Sequence, residues 1–189
     1  MSSKYLIIGL GNPGEDYFKT RHNVGQQAVD VLAEKLIQNG SKPKWELRKY
    51  QKAEICQVAP EIVLAKPNTF MNESGRAVEK LVKWYQPESL MLIYDDLDLK
   101  FGEFKIQENK TPKNHNGVQS VITHLRSDQF MSVRIGIDAR TPEQRLQVSG
   151  SDYVLAKFSQ VETKQLESTL DRVAQDVVRY LGDTTPYLR

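Results

Sequence analysis

The stretch YLIIGLGNPG, residues 5 to 14, decides how the chain is read. Tyr5 to Ile8 are apolar and form a short buried strand by pattern. Gly9, Gly11 and Gly14 then repeat the G-x-G-x-x-G spacing of a dinucleotide-binding turn. Such a turn works only if a helix opens at its last glycine, so that free N–H groups and the helix dipole face a pyrophosphate. Here the polar run EDYFKTRHN intervenes, and helical spacing begins only at Val24. The acidic residue that should end a second strand about twenty positions on, and hold a ribose, has no counterpart. Asp30 and Glu34 fall inside the following helix instead. Pro13 decides nothing, because proline is tolerated in a first helical turn. The glycines are a decoy for nucleotide binding, and a nucleotide-dependent oxidoreductase has nothing else to rest on.

Outward from that turn, helices and extended segments alternate. Val24, Ala28, Val31, Leu32 and Leu36 mark one face of a helix that stops before Asn39-Gly40. Trp45 to Lys66 reads as short strands, with Ala59-Pro60-Glu61 as a turn. NESGRAVEKLVKWY is helical, with Asn72 or Ser74 able to cap it and Val78, Leu81, Val82 and Tyr85 facing inward. LMLIY, residues 90 to 94, is a central strand that ends in the acidic run DDLD. A strand over Phe101 to Gln107, a polar loop, a short helix around NGVQSVITHL and the strand VRIGI follow. Ser159 to Glu162 is a capping-box pattern, ahead of Leu166, Leu170, Val173, Val177 and Leu181 at helical spacing. The expected fold is one domain over residues 1–189, a three-layer α/β/α sandwich around a twisted, mixed, mostly parallel sheet.

Composition narrows the function classes. A net charge of +2 permits a nucleic-acid partner touched over a small footprint without demanding one. The lone Cys56 excludes an internal disulfide. Four apolar residues before Gly9 are too few for a signal-peptide core or a membrane span. A cytoplasmic, monomeric protein without a membrane partner is the expectation.

Ligand sites in open α/β sheets gather at the carboxyl ends of strands. Asn12, His22, Asn72, Asp95 and Asn116 lie there or in loops that reach there. Histidine can take a proton near neutral pH, and a carboxylate beside it fixes the ring tautomer. Primary amides donate N–H bonds without titrating, which suits a developing oxyanion. No serine or cysteine nucleophile is evident, so water is the natural attacker and ester hydrolysis the economical reaction. Each residue has a structural alternative: Asn12 as a turn former, Asn72 as a cap, DDLD as a solvent-facing acidic turn. His22, His115 and His124 lack a zinc spacing, so a zinc site is not expected.

GLGNPG with Tyr17, TRHNVG, KPNTFMNESG, YDDLDL, HNGVQSVI and VRIGI, in this order, resemble the bacterial-type peptidyl-tRNA hydrolases across nearly the whole chain. The resemblance implies cleavage of the ester between a peptide and the 3′ end of its tRNA, with no metal or organic cofactor. It implies His22 as general base, Asp95 as its orienting carboxylate and Asn12 as the residue that separates blocked from free aminoacyl-tRNA. Tyr17, Phe70, Asn72 and Asn116 match positions that contact the tRNA end or the peptide, and Met71 lies with them. Lys105 and Arg134 match basic positions for a tRNA phosphate. The chain departs from the family's pattern in KTPKN, Lys110 to Asn114, which lacks glycine, and in Tyr94, where many relatives carry histidine. Drift in a surface loop, or a stiffer gate in which Lys110 and Lys113 touch phosphate, both follow from that loop. A fold retained for RNA binding without turnover is the competing reading.

Overall fold

In the first strand, β1 (Tyr5–Gly9), alternate side chains point to opposite faces, and both faces are covered. Tyr5 and Ile7 enter one core; Leu6 and Ile8 enter another. A strand buried on both sides needs a continuous apolar run, which is what YLII supplies. The computed structural model describes residues 4–37, 41–109, 112 and 114–184.

After a 3₁₀ turn at Arg21–Asn23 the chain enters α1 (Val24–Leu36), then β2 (Glu46–Arg48), β3 (Ala53–Ala59) and β4 (Ile62–Pro67). A second 3₁₀ turn, Met71–Glu73, leads into α2 (Ser74–Tyr85) and β5 (Ser89–Lys100). β6 (Phe104–Glu108), α3 (Asn116–Leu125), β7 (Met131–Asp138), α4 (Pro142–Gln147), α5 (Gly150–Leu155) and α6 (Gln160–Thr184) complete the order. The sheet runs β2-β3-β4-β1-β5-β7-β6. β4, β1, β5 and β7 are mutually parallel; β2, β3 and β6 join antiparallel at the two sides. α1 and α6 cover one face, α2 and α3 the other. The chain leaves β1 toward β4 and returns on its other side to β5, so the strand order reverses at β1. That crevice, at the carboxyl ends of β1 and β5, is where such sheets bind ligands.

The expected three layers and mixed sheet are present. All five apolar residues assigned to the last helix are buried, each contributing roughly 1.5–3 kcal/mol on the usual transfer scale. Its capping box forms: Ser159 Oγ accepts from the Glu162 amide at 3.3 Å, and Glu162 Oε2 accepts from the Ser159 amide at 2.7 Å.

Four expectations change. β5 does not end at Tyr94 but continues to Lys100, and Asp95 and Asp96 are buried within it. They can be buried because His22, His115 and Arg134 satisfy their carboxylates. Neither Asn72 nor Ser74 caps α2: Glu73 occupies the cap without a side-chain bond, because the preceding 3₁₀ turn runs straight into the helix. Val31 is only half-buried, with Val29 and Ala33 taking the inward places. The strand placed at Phe101 to Gln107 begins at Phe104, after a turn in which Gly102 adopts φ +87°. Asn39-Gly40 lies outside the described residues, as do Lys110, Thr111 and Lys113 of the glycine-free loop.

Candidate active site

The glycine turn is built for close packing. A Cβ on Gly9 would collide with the Gly25 carbonyl, and one on Gly25 with the Ile93 carbonyl. Two glycines therefore let the start of α1 press against the ends of β1 and β5, which pulls the loop before α1 over the sheet. Gly14, at φ +100°, reverses the chain in a conformation that L side chains rarely adopt.

Asn23 struts this turn from beneath. Its Oδ1 accepts from the Asn12 amide at 2.9 Å, and its Nδ2 donates to the Asn12 carbonyl at 2.8 Å. The side-chain Oδ1 of Asn12 accepts from the Met71 amide at 2.8 Å. A backbone N–H can only donate, so the NH₂ of Asn12 is kept for another partner, and Asn12 lines the cavity described below. The orientation of this amide follows from its partner rather than from convention.

Asp95 is the hub. Its Oδ1 lies 2.8 Å from Nδ1 of His22 and 2.9 Å from Nε2 of His115. Burial alone raises the carboxyl's pKa, but the two imidazoles, His115 and then His22, outweigh it and hold Asp95 well below the usual carboxylate range. An ionised carboxylate only accepts, so each facing nitrogen carries the proton. In His115 the other nitrogen, Nδ1, accepts from the amides of Gly117 at 3.1 Å and Val118 at 3.2 Å, capping α3. That ring is therefore a neutral Nε2–H tautomer with both nitrogens used. In His22 the other nitrogen, Nε2, has no partner among the described residues, and its lone pair is free.

His22, Asp95 and His115 offer ligand atoms all within 4.8 Å of one another, which is metal-like convergence. Their spacing is nonetheless that of hydrogen bonds: two ligands of one tetrahedral zinc stand roughly 3.3 Å apart, for bonds of about 2.0–2.1 Å.

Around the hub opens a cavity of about 660 Å³. Asn12, Tyr17, His22, Phe70, Met71, Asn72, Asp95 and Asn116 all line it, eight of the ten positions singled out in the sequence. Tyr17 and Phe70 meet edge-to-face, with ring centres 6.3 Å apart. Gly150, Ser151, Val154 and Leu155 of α5 make the facing wall, and Pro112 and Asn114 reach in from the glycine-free loop. Lys105 and Arg134 stand outside, paired across β6 and β7. Arg134 donates through Nε to Asp96 at 2.6 Å and through Nη1 to Gln107 at 3.2 Å, leaving Nη2 without a partner among the described residues.

Three residues escaped the sequence reading. His115 had a signal: a histidine immediately before a helix, where serine, threonine or aspartate is usual. Asn23 had none beyond its place in the loop. Arg21 is buried, bonded to Glu162 through Nη2 at 2.7 and 2.9 Å and to the Lys157 carbonyl at 2.6 Å. It lies between the rings of Tyr153 and Phe158, at 4.2 and 4.9 Å. It ties the loop carrying His22 to the junction of α5 and α6, and so to the facing wall.

An α/β sheet with a histidine–carboxylate centre at its switch point defines the class of site. The particular family comes from comparison: the profile of the peptidyl-tRNA hydrolases matches residues 6–186, and the chain belongs to that family. The peptidyl-tRNA hydrolase of Chloroflexus aurantiacus is 40% identical over 176 residues, covering 92% of this chain and 90% of its own. That of Lactiplantibacillus plantarum is 41% identical over 164 residues, covering 86% and 84%. The crystal structure of peptidyl-tRNA hydrolase from Acinetobacter baumannii superposes with a TM-score of 0.79 at 29% identity, over 100% of this chain and 93% of that one. No helix among the described residues is long and apolar enough to cross a membrane.

Proposed function

We propose that the chain hydrolyses peptidyl-tRNA, with water activated by His22. The observation that carries this mechanism is the 2.8 Å contact of His22 Nδ1 with Asp95, which leaves the Nε2 lone pair free at the cavity. Nε2 takes a proton from water as its oxygen adds to the ester carbonyl. The imidazolium so formed is stabilised by Asp95. The carbonyl oxygen becomes an oxyanion, and the NH₂ of Asn12 is the donor placed to receive it. When the bond to the ribose 3′ oxygen breaks, the proton passes from His22 to that oxygen. Peptide acid and free tRNA leave, and no covalent intermediate forms.

The site's amides also account for selectivity. The substrate carries a neutral amide where free aminoacyl-tRNA carries an ammonium. Asn12, Asn72 and Asn116 can pair with the amide, whereas the ammonium would exchange its water shell for a poorer one. Tyr17, Phe70 and Met71 give the cavity its apolar contacts. Lys105, with the free Nη2 of Arg134, serves one tRNA phosphate. We place the reaction in the cytoplasm and take the acting species to be a monomer, since α6 spends its apolar row on the chain's own core.

Release of N-acetyl-aminoacyl groups from tRNA by the wild type and His22→Ala, side by side, tests the reading. General-base removal costs about 10²- to 10⁴-fold. Unchanged turnover in the variant would refute the mechanism, and wild-type tRNA binding without cleavage would favour the RNA-binding alternative.

A further inference from the structure

Peptidyl-tRNA has two arms that meet at one ester, and any path for its acyl arm depends on that substrate being the right one. With the RNA arm at the β6–β7 side of the sheet, the acyl arm must leave the cavity elsewhere. Phe70 marks an exit on the opposite flank. It lines the catalytic cavity and also a neighbouring groove of about 350 Å³ that runs to the β2–β3 hairpin. Pro13, Leu47 and Phe70 give this groove apolar walls, and Leu47 and Phe70 remain about half exposed, at 52% and 54%. Thr69 lines it too, 6% exposed, with a buried hydroxyl that has no hydrogen-bond partner among the described residues. A buried hydroxyl left unpaired is costly, and a peptide main-chain amide or carbonyl is the kind of group that relieves it.

Two lysines, Lys49 and Lys52, line the groove, and the segment that supplies them is cationic. Lys42, Lys44, Arg48, Lys49 and Lys52 stand against Glu46 alone between residues 42 and 52, in a chain whose net charge is only +2. Arg48 is spent on Glu46 at 2.7 Å, and Glu73, the groove's carboxylate, on Arg76 at 2.8 Å. Lys80 donates to the Tyr50 carbonyl at 2.9 Å and lies 4.6 Å from the centre of that ring. Lys49 and Lys52 line the groove and have no acidic partner among the described residues. We propose that this groove receives the peptide arm and favours peptides with acidic side chains close to the ester. The apolar walls accept peptides in general; the two free lysines bias the choice.

Four substrates on the same tRNA test it: an N-acetyl-aminoacyl group, and tripeptides with glutamate, alanine or lysine at the two positions upstream of the ester residue. The glutamate peptide should exceed the lysine peptide by about three- to tenfold in kcat/KM at low salt, as two exposed ion pairs allow. The margin should shrink with salt. Lys49→Gln with Lys52→Gln should abolish the margin and leave the N-acetyl-aminoacyl substrate unchanged. No margin in the wild type, or one that survives the double variant, overturns the proposal. So does an equal loss on all four substrates, which would make the hairpin an RNA surface. Wild-type inertness toward the N-acetyl-aminoacyl substrate would instead sink the hydrolase reading itself.

Discussion

Two histidines donate to the same oxygen of Asp95, at 2.8 and 2.9 Å, yet the molecule treats them differently. His22 sits in a loop braced by Asn23 and Arg21, partly open to the cavity. His115 sits at the start of α3, buried, with its second nitrogen committed to two backbone amides. Residue type is the same and the shared acid is the same. The difference lies in what the far nitrogen meets: open cavity in one case, helix N–H groups in the other. A ring whose both nitrogens are bonded can orient a neighbour but cannot exchange a proton without breaking the cap. Catalytic assignment here is a matter of unspent hydrogen-bonding capacity.

The harshest way to break this comparison is Asp95→Asn. An amide oxygen in the place of Oδ1 can still accept from both rings, but it carries no charge to stabilise an imidazolium on His22. We expect kcat to fall by about 10²- to 10⁴-fold, the range for loss of an effective general base. The pH dependence of stability gives a second readout. Because the Asp95 pKa is depressed in the fold, its contribution is present above the ordinary carboxylate range and lost as pH falls below it. Denaturant titrations should show wild type ahead of Asp95→Asn at neutral pH, with the margin narrowing in acid. A margin that widened in acid would contradict the hydrogen-bonded carboxylate.

His115→Asn sharpens the comparison, because asparagine is a good helix cap but is too short to do the imidazole's second job. Stability should hold to within about 1 kcal/mol, whereas His115→Ala loses the cap as well. Both should lose activity by roughly tenfold, well short of the His22→Ala loss, since Asp95 keeps one of its two donors. Activity as low as that of His22→Ala would show that His115 handles the proton after all.

Much of this was legible in the chain. The strand and turn of YLIIGLGNPG, the covered faces of the helices and the short strands on either side of Pro60 follow from periodicity, because burial on one face writes itself into spacing. Eight residues that line the cavity could be named, five from their places near strand ends and three from the family's motifs. What stayed hidden was pairwise: beyond the expected His22–Asp95 contact, Asp95 and Asp96 look like a solvated turn until His115 and Arg134 arrive from positions far along the chain. The same holds for Arg21, whose partners lie more than 130 residues away. Spacing reports which face is buried, not what a buried charge will meet.

Tyr94 offers the mildest probe, on the His115 side alone. Its ring lies edge-on to His115, with centres 5.2 Å apart, and it is fully buried. Burial, opposed by the Ser132 hydroxyl, pushes its phenol up to about 12. A raised pKa means that the fold holds the neutral form more tightly than the unfolded chain does, so wild type should lose stability as pH climbs from about 10 toward 12. The loss is on the order of 2–3 kcal/mol, from two pH units of linkage. Tyr94→Phe removes that titration while keeping the ring beside His115. Across the alkaline range it should therefore gain on wild type in denaturant midpoint, while kcat at neutral pH stays within about twofold. A large fall in kcat would mean that the phenol, and with it the His115 side of Asp95, reaches the reacting atoms, and the division between a spent and an unspent imidazole would no longer hold.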